Sequence, residues 1–141
     1  MRWATRSGIH VDRAASAWLI STYVDADAEF VYVDDLEDVP DDATPFDMVG
    51  CDLTHHRDDV TFETILRRYD LIDPVLWRIA EIVHQADVED DRFDAPEAAG
   101  LDTIVRSLGL DHTDEEVRMT TATILTSLHH YLRREALGTT A

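Results

Sequence analysis

The stretch from Asp47 to Glu63, D-M-V-G-C-D-L-T-H-H-R-D-D-V-T-F-E, gathers the residues best suited to chemistry. Asp52, His55, His56 and Glu63 are the nitrogen and oxygen donors that divalent metals such as Mn, Fe or Zn select. A second group lies further on, at His84 and Asp87. Three residues apart, these two share one face if the segment is helical. A site drawn from His55, Glu63, His84 and Asp87, with Asp52 beside them, would bring two imidazoles and two or three carboxylates around one ion. Simpler roles compete with this one. His55 could bond a backbone carbonyl, Glu63 could complement its helix end, and His84 and Asp87 could bond each other. Arg6, Arg13 and His10 form a second, cationic set near the N-terminus, and an Arg fork suits an oxyanion or a carboxylate. Asp12, between them, reads as the N-cap of the helix that follows.

The elements that must position these groups can be read from periodicity. Trp3–Thr5 is a short strand, closed by Arg6 and the Ser7-Gly8 turn. A helix runs from Asp12 to about Tyr23, with Ala15, Trp18, Leu19 and Thr22 as its apolar stripe. Glu29–Val33 (E-F-V-Y-V) is the clearest strand. The acidic loop from Asp34 to Thr44 carries no assigned chemistry, and Pro45–Val49 is a strand leading to Gly50. Helical spacing resumes at Thr61, where Phe62, Ile65, Leu66 and Tyr69 share a face. Asp73-Pro74 opens another helix, buried through Leu76, Ile79, Ala80 and Val83. Glu97 and Glu116 are each placed for a capping box at the last two helices. Leu101, Ile104, Val105 and Leu108 pack in the first of these, which Gly109 ends. Val117, Ile124, Leu125, Leu128, Tyr131 and Leu132 give the second a long apolar face. The expected architecture is α+β, one domain over residues 1–141, with a small sheet from the first half and helices from the second.

Charge excludes some partners. The chain carries a net charge of −18, with twelve Arg, no Lys, and 21 Asp against 9 Glu. So acidic a surface repels nucleic acid and anionic membrane and suits a salt-rich cytosol, where screening limits self-repulsion. The single cysteine, Cys51, allows no intramolecular disulfide. With no apolar leader and no membrane-length apolar run, a cytoplasmic location is expected.

Taken in order, several pieces carry a resemblance: W-A-T-R (3–6), H-V-D-R-A-A (10–15), A-W-L-I (17–20), A-E-F-V-Y-V (28–33), P-F-D (45–47), T-H (54–55), T-F-E (61–63), I-V-H with Asp87, and P-E-A-A-G-L (96–101). The sequence resembles the C-terminal domain of ChrB-type chromate resistance proteins, most strongly up to about Leu110. Ser16 and Val60 stand where such relatives often have cysteine, which speaks against thiol chemistry there. Asp52 stands where Glu is common. Long relatives add an N-terminal half tied to transcriptional control, and DNA binding is not expected of this chain. The resemblance implies a part in chromate resistance, as an accessory or sensing domain. The expected ligands are a divalent metal and a small oxyanion held at it. A metalloenzyme with redox or hydrolytic chemistry is the alternative, and a structural domain that forms a homodimer through its last helix is the third.

Overall fold

The computed structural model describes residues 1–88 and 90–138. Three short strands, β1 (Arg2–Arg6), β2 (Glu29–Val33) and β3 (Ala43–Pro45), form a parallel sheet in the order β2-β1-β3. β1 is central, pairing Arg2 with Glu29 through Arg6 with Val33 on one side, and Arg2 with Ala43 through Ala4 with Pro45 on the other. A central parallel strand is covered on both faces, and Trp3, Ala4 and Thr5 are buried accordingly. The third strand ends earlier than expected. Phe46 still gives its N–H to the Ala4 carbonyl at 2.9 Å and its own carbonyl accepts the Thr5 hydroxyl at 2.8 Å, so Asp47 follows the sheet instead of lying in it.

Among the described residues five α-helices follow the same order as the sequence signals: α1 (Val11–Leu19), α2 (Thr61–Arg68), α3 (Pro74–Asp87), α4 (Glu97–Leu108) and α5 (Asp114–Ala136). α1 is buried almost all round and passes into a π-helical turn over Ile20–Val24, which leaves Thr22 exposed. It packs against α2, α3 and α5. Its Trp18 stacks on Phe62 of α2 with ring centroids 6.5 Å apart. The cap of α1 differs from the expectation: His10 is the N-cap, makes no side-chain cap bond, and leaves Asp12 within the first turn and buried.

The Asp73 carboxylate accepts the Val75 N–H at the start of α3, and Thr113 and Glu116 form the expected capping box on α5. α4 lacks the corresponding box because it opens at Glu97 itself, with Pro96 as N-cap, so Glu97 is not its third residue and pairs instead with Arg78, 3.0 Å distant. Ile104 of α4 and Tyr131 of α5 are exposed rather than packed. One hydrophobic cluster runs from Trp3 to Leu132 and joins sheet and helices. The small first-half sheet and helical second half make the fold α+β. Among the described residues no helix is long and apolar enough to cross a membrane.

Candidate metal centre and adjoining pocket

Asp12 is the residue around which the site is built. Nothing on Val60, the N-cap of α2, can accept a hydrogen bond from the helix start. Asp12 of α1 does so instead, taking the Thr61 N–H at 3.1 Å and the Phe62 N–H at 3.0 Å. A carboxylate at a helix N-terminus is favoured by the orphan amides and by the helix dipole. These two bonds fix α1 to α2 and leave Asp12 only 2% exposed. His55 arrives on the loop before α2 and places its Nε2 3.0 Å from Asp12 and 3.3 Å from Asp87 at the end of α3. One candidate ligand atom from each of Asp12, His55 and Asp87 lies within 4.8 Å of the other two.

Asp47 stands behind this group, 3.9 Å from His55 Nε2. Its own carboxylate is already engaged by Arg13 at 2.9 Å and by the Thr61 hydroxyl at 2.6 Å. Its backbone is left-handed, φ 51°, a conformation that Asp tolerates better than most residues and that recurs at functional sites. Arg13 also donates to the Gly8 carbonyl at 2.9 Å and the Asp47 carbonyl at 3.2 Å. It is therefore spent on positioning Asp47.

The charges respond to one another. Burial, with Asp47 and Asp87 nearby, raises the Asp12 carboxyl to about 6 although the His55 bond opposes it. The Asp12 bond, reinforced by Asp87 and Asp47, raises His55 to about 9. Burial also raises Asp87, with His55 pulling the other way. Three carboxylates thus share a place that calls for positive charge, and in the metal-free protein the His55 imidazolium supplies it. A metal ion could do the same. Ligands about 2.1 Å from an ion lie roughly 3.0 Å apart on an octahedral edge and roughly 3.4 Å apart on a tetrahedral one. The 3.0 and 3.3 Å separations at His55 fall near these values and are equally those of an imidazolium paired with two carboxylates.

The expected ligands divide between two places. His55 and Asp87 meet, and Asp12, read as a cap, joins them. Glu63 and His84 meet each other, 2.6 Å apart, but His84 is fully buried and its other nitrogen lies 2.9 Å from Asp90. Burial pulls its pKa down, yet the bonds to Asp90 and Glu63 outweigh that and hold it above the usual histidine range. Glu63 also accepts the Val60 N–H at 2.9 Å. With both ring nitrogens committed, His84 ties α3 to the start of α2. Asp52 is exposed and lies outside the Asp12–His55–Asp87 group. Cys51, its thiol raised by burial, is outside it too.

A pocket of about 500 Å³ opens beside His55. Arg6 ends β1, Asp34 follows β2, and Asp47 follows β3 by two residues; all three line it. The pocket therefore sits at the C-terminal edge of a parallel sheet whose strand order reverses about β1, where ligands of open parallel sheets bind. The acidic loop to which no chemistry was assigned contributes Asp34, Asp35 and Leu36. Arg6 is exposed on the rim, and its guanidinium has no ion-pair partner among the described residues. His10 is exposed and lies outside the lining.

A family model described as "ChrB, C-terminal domain" matches residues 3–132. The chain belongs to the ChrB C-terminal domain family. The match continues past Leu110, where the resemblance by motif weakens, through most of α5. Protein ChrB of Cupriavidus metallidurans is 42% identical over 88 residues, which cover 62% of this chain and 27% of that protein. The match thus spans about a quarter of the curated relative. No solved structure matches the chain. In this ChrB-type domain the motif pieces, scattered in sequence, converge in space. W-A-T-R supplies Arg6, H-V-D-R supplies Asp12 and Arg13, P-F-D supplies Asp47, T-H supplies His55, and T-F-E supplies the amides that hold Asp12.

Proposed function

We propose that this chromate-resistance domain works in the cytosol as an accessory or sensing unit that holds a divalent cation, Mn, Fe or Zn, on Asp12, His55 and Asp87. The cation then recruits a small oxyanion, chromate foremost, through the pocket that Arg6 borders. One observation carries the reading: three ligand atoms of suitable type lie within 4.8 Å, drawn from three separate segments. The order of binding follows from electrostatics. Asp12, Asp47 and Asp87 outnumber Arg13 and the His55 imidazolium, and this residual negative charge repels a dianion until a cation offsets it, since like charges a few ångströms apart cost several kcal/mol even at an effective dielectric constant of about 20. Arg13 cannot supply that charge while paired with Asp47. Glu63, His84 and Asp90 support the site from behind by joining α2 to α3.

Elemental analysis of the purified protein tests the assignment. Stoichiometric metal that is lost in Asp87→Asn and His55→Ala supports it. Metal content unchanged in both variants removes it. A metalloenzyme has one observation in its favour: of the three candidate ligands, His55 lines an open pocket, and a three-ligand ion there would keep coordination positions for substrate. Turnover of chromate or superoxide that disappears together with the metal would select this second reading.

A further inference from the structure

The pocket is larger than an inorganic oxyanion requires. A tetrahedral oxyanion has five heavy atoms; even at a water's share of about 30 Å³ for each, it fills on the order of 150 Å³. The pocket offers about 500 Å³, within the range of about 300–1,000 Å³ usual for organic ligands. Its wall is partly apolar: Leu36, Met48 and Val49 face it together with Arg6 and His55. Gly50 leaves room beside that wall. Its φ of 93° is one that glycine adopts freely, and a Cβ there would meet Leu36 Cδ2 at 3.3 Å. Leu36 and Val49 are exposed at 38% and 94%, so apolar surface remains for a ligand to cover.

We infer that the pocket takes a small organic anion, one with an acidic head and an apolar body, rather than a bare oxyanion alone. The head lies toward Arg6 and the cation site, and the body lies along Leu36 and Val49. Asp34 and Asp35 also line the pocket, and Asp34 follows Val33, the register partner of Arg6, so Arg6 and the cation together must outweigh them to hold the head. The inference rests on the proposed cation site for the second positive charge, but the apolar wall stands without it.

Titration calorimetry with two phosphonates separates the contributions, because methylphosphonate and phenylphosphonate share a head and differ in body. On Mn(II)-loaded protein, phenylphosphonate is expected to bind at least tenfold more tightly. Arg6→Ala should weaken both probes. Leu36→Ser and Val49→Ser, both neutral changes at solvent-exposed positions, should abolish the phenyl advantage while leaving methylphosphonate unchanged. Equal affinity of the two probes, or a phenyl advantage that survives both Ser variants, overturns the inference. The same titration on metal-free protein tells the two ideas apart. If the protein never loads Mn(II) yet still prefers phenylphosphonate, the cation assignment fails and the organic-anion pocket stands. If it loads Mn(II) but shows no preference, the reverse holds.

Discussion

Replacing Asp12 by Asn should loosen the junction of α1 and α2 even with all metal removed. In the native protein the two carboxylate oxygens accept the Phe62 and Thr61 N–H groups at 3.0 and 3.1 Å. An amide has one acceptor oxygen, so one of these donors would face an NH2 group instead. An unsatisfied buried donor costs about 1–3 kcal/mol. Loss of negative charge at the helix N-terminus adds roughly 0.3–1 kcal/mol. The raised Asp12 pKa works against these costs, because burial already disfavours the charged form. A net loss of about 2 kcal/mol is expected, and at this chain length each kcal/mol moves the midpoint by roughly 3–5 °C. Thermal melts of wild type and Asp12→Asn in EDTA at pH 7.5 should therefore differ by roughly 6–10 °C. Coincident melts would refute the claim that Asp12 caps α2 across the helix boundary.

His84→Gln should lower stability by about 3 kcal/mol, since removing one member of a buried charged pair strands the other; the melt reads that loss. Elemental analysis of the same variant should show the metal retained, and its loss would make His84 a ligand after all. The metal-free stability should also depend on pH with a definite sign. His55 is raised in the folded state to about 9, so its contribution is complete below about 6.5 and disappears as pH rises through 9. Asp12 is raised to about 6, so its contribution is greatest below about 3.8 and falls as pH rises through 6. Denaturant midpoints should thus decline from pH 6.5 to 9, and the decline should flatten in His55→Ala. Salt should stabilise the protein. With a net charge of −18, raising KCl from 0.1 to 1 M shortens the screening length from about 10 to about 3 Å. A melting point that falls over that range would show that the ion pairs outweigh the net repulsion.

Local chemistry made much of the fold legible in the sequence. Glu29–Val33 carries a dense β-branched and aromatic run, and Asp73-Pro74 and Thr113 with Glu116 are complete helix-start signals; each forms the element expected. Long-range pairing was not legible. Asp12 looks like a cap by position, yet its donors lie 49 and 50 residues away, and nothing local to Asp12 reports them. His84 carries the spacing of a ligand, but Asp90, on the segment after α3, takes the nitrogen that a metal would use. The acidic loop reads as solvated because three strands must pair before Asp34 and Leu36 come to face Arg6. Glu97 illustrates a shifted boundary: the capping pattern calls for a helix opening after Asp94, but α4 opens at Glu97 itself, and its carboxylate pairs with Arg78.

Anomalous diffraction from a crystal of the Mn(II)- or Zn(II)-loaded protein tests the cation site most directly. The expected result is one strong peak bonded to His55 Nε2 and to carboxylate oxygens of Asp12 and Asp87, with density for water or an anion on the side facing Arg6. A peak against Glu63 and His84, or no ordered metal under saturating conditions, contradicts it.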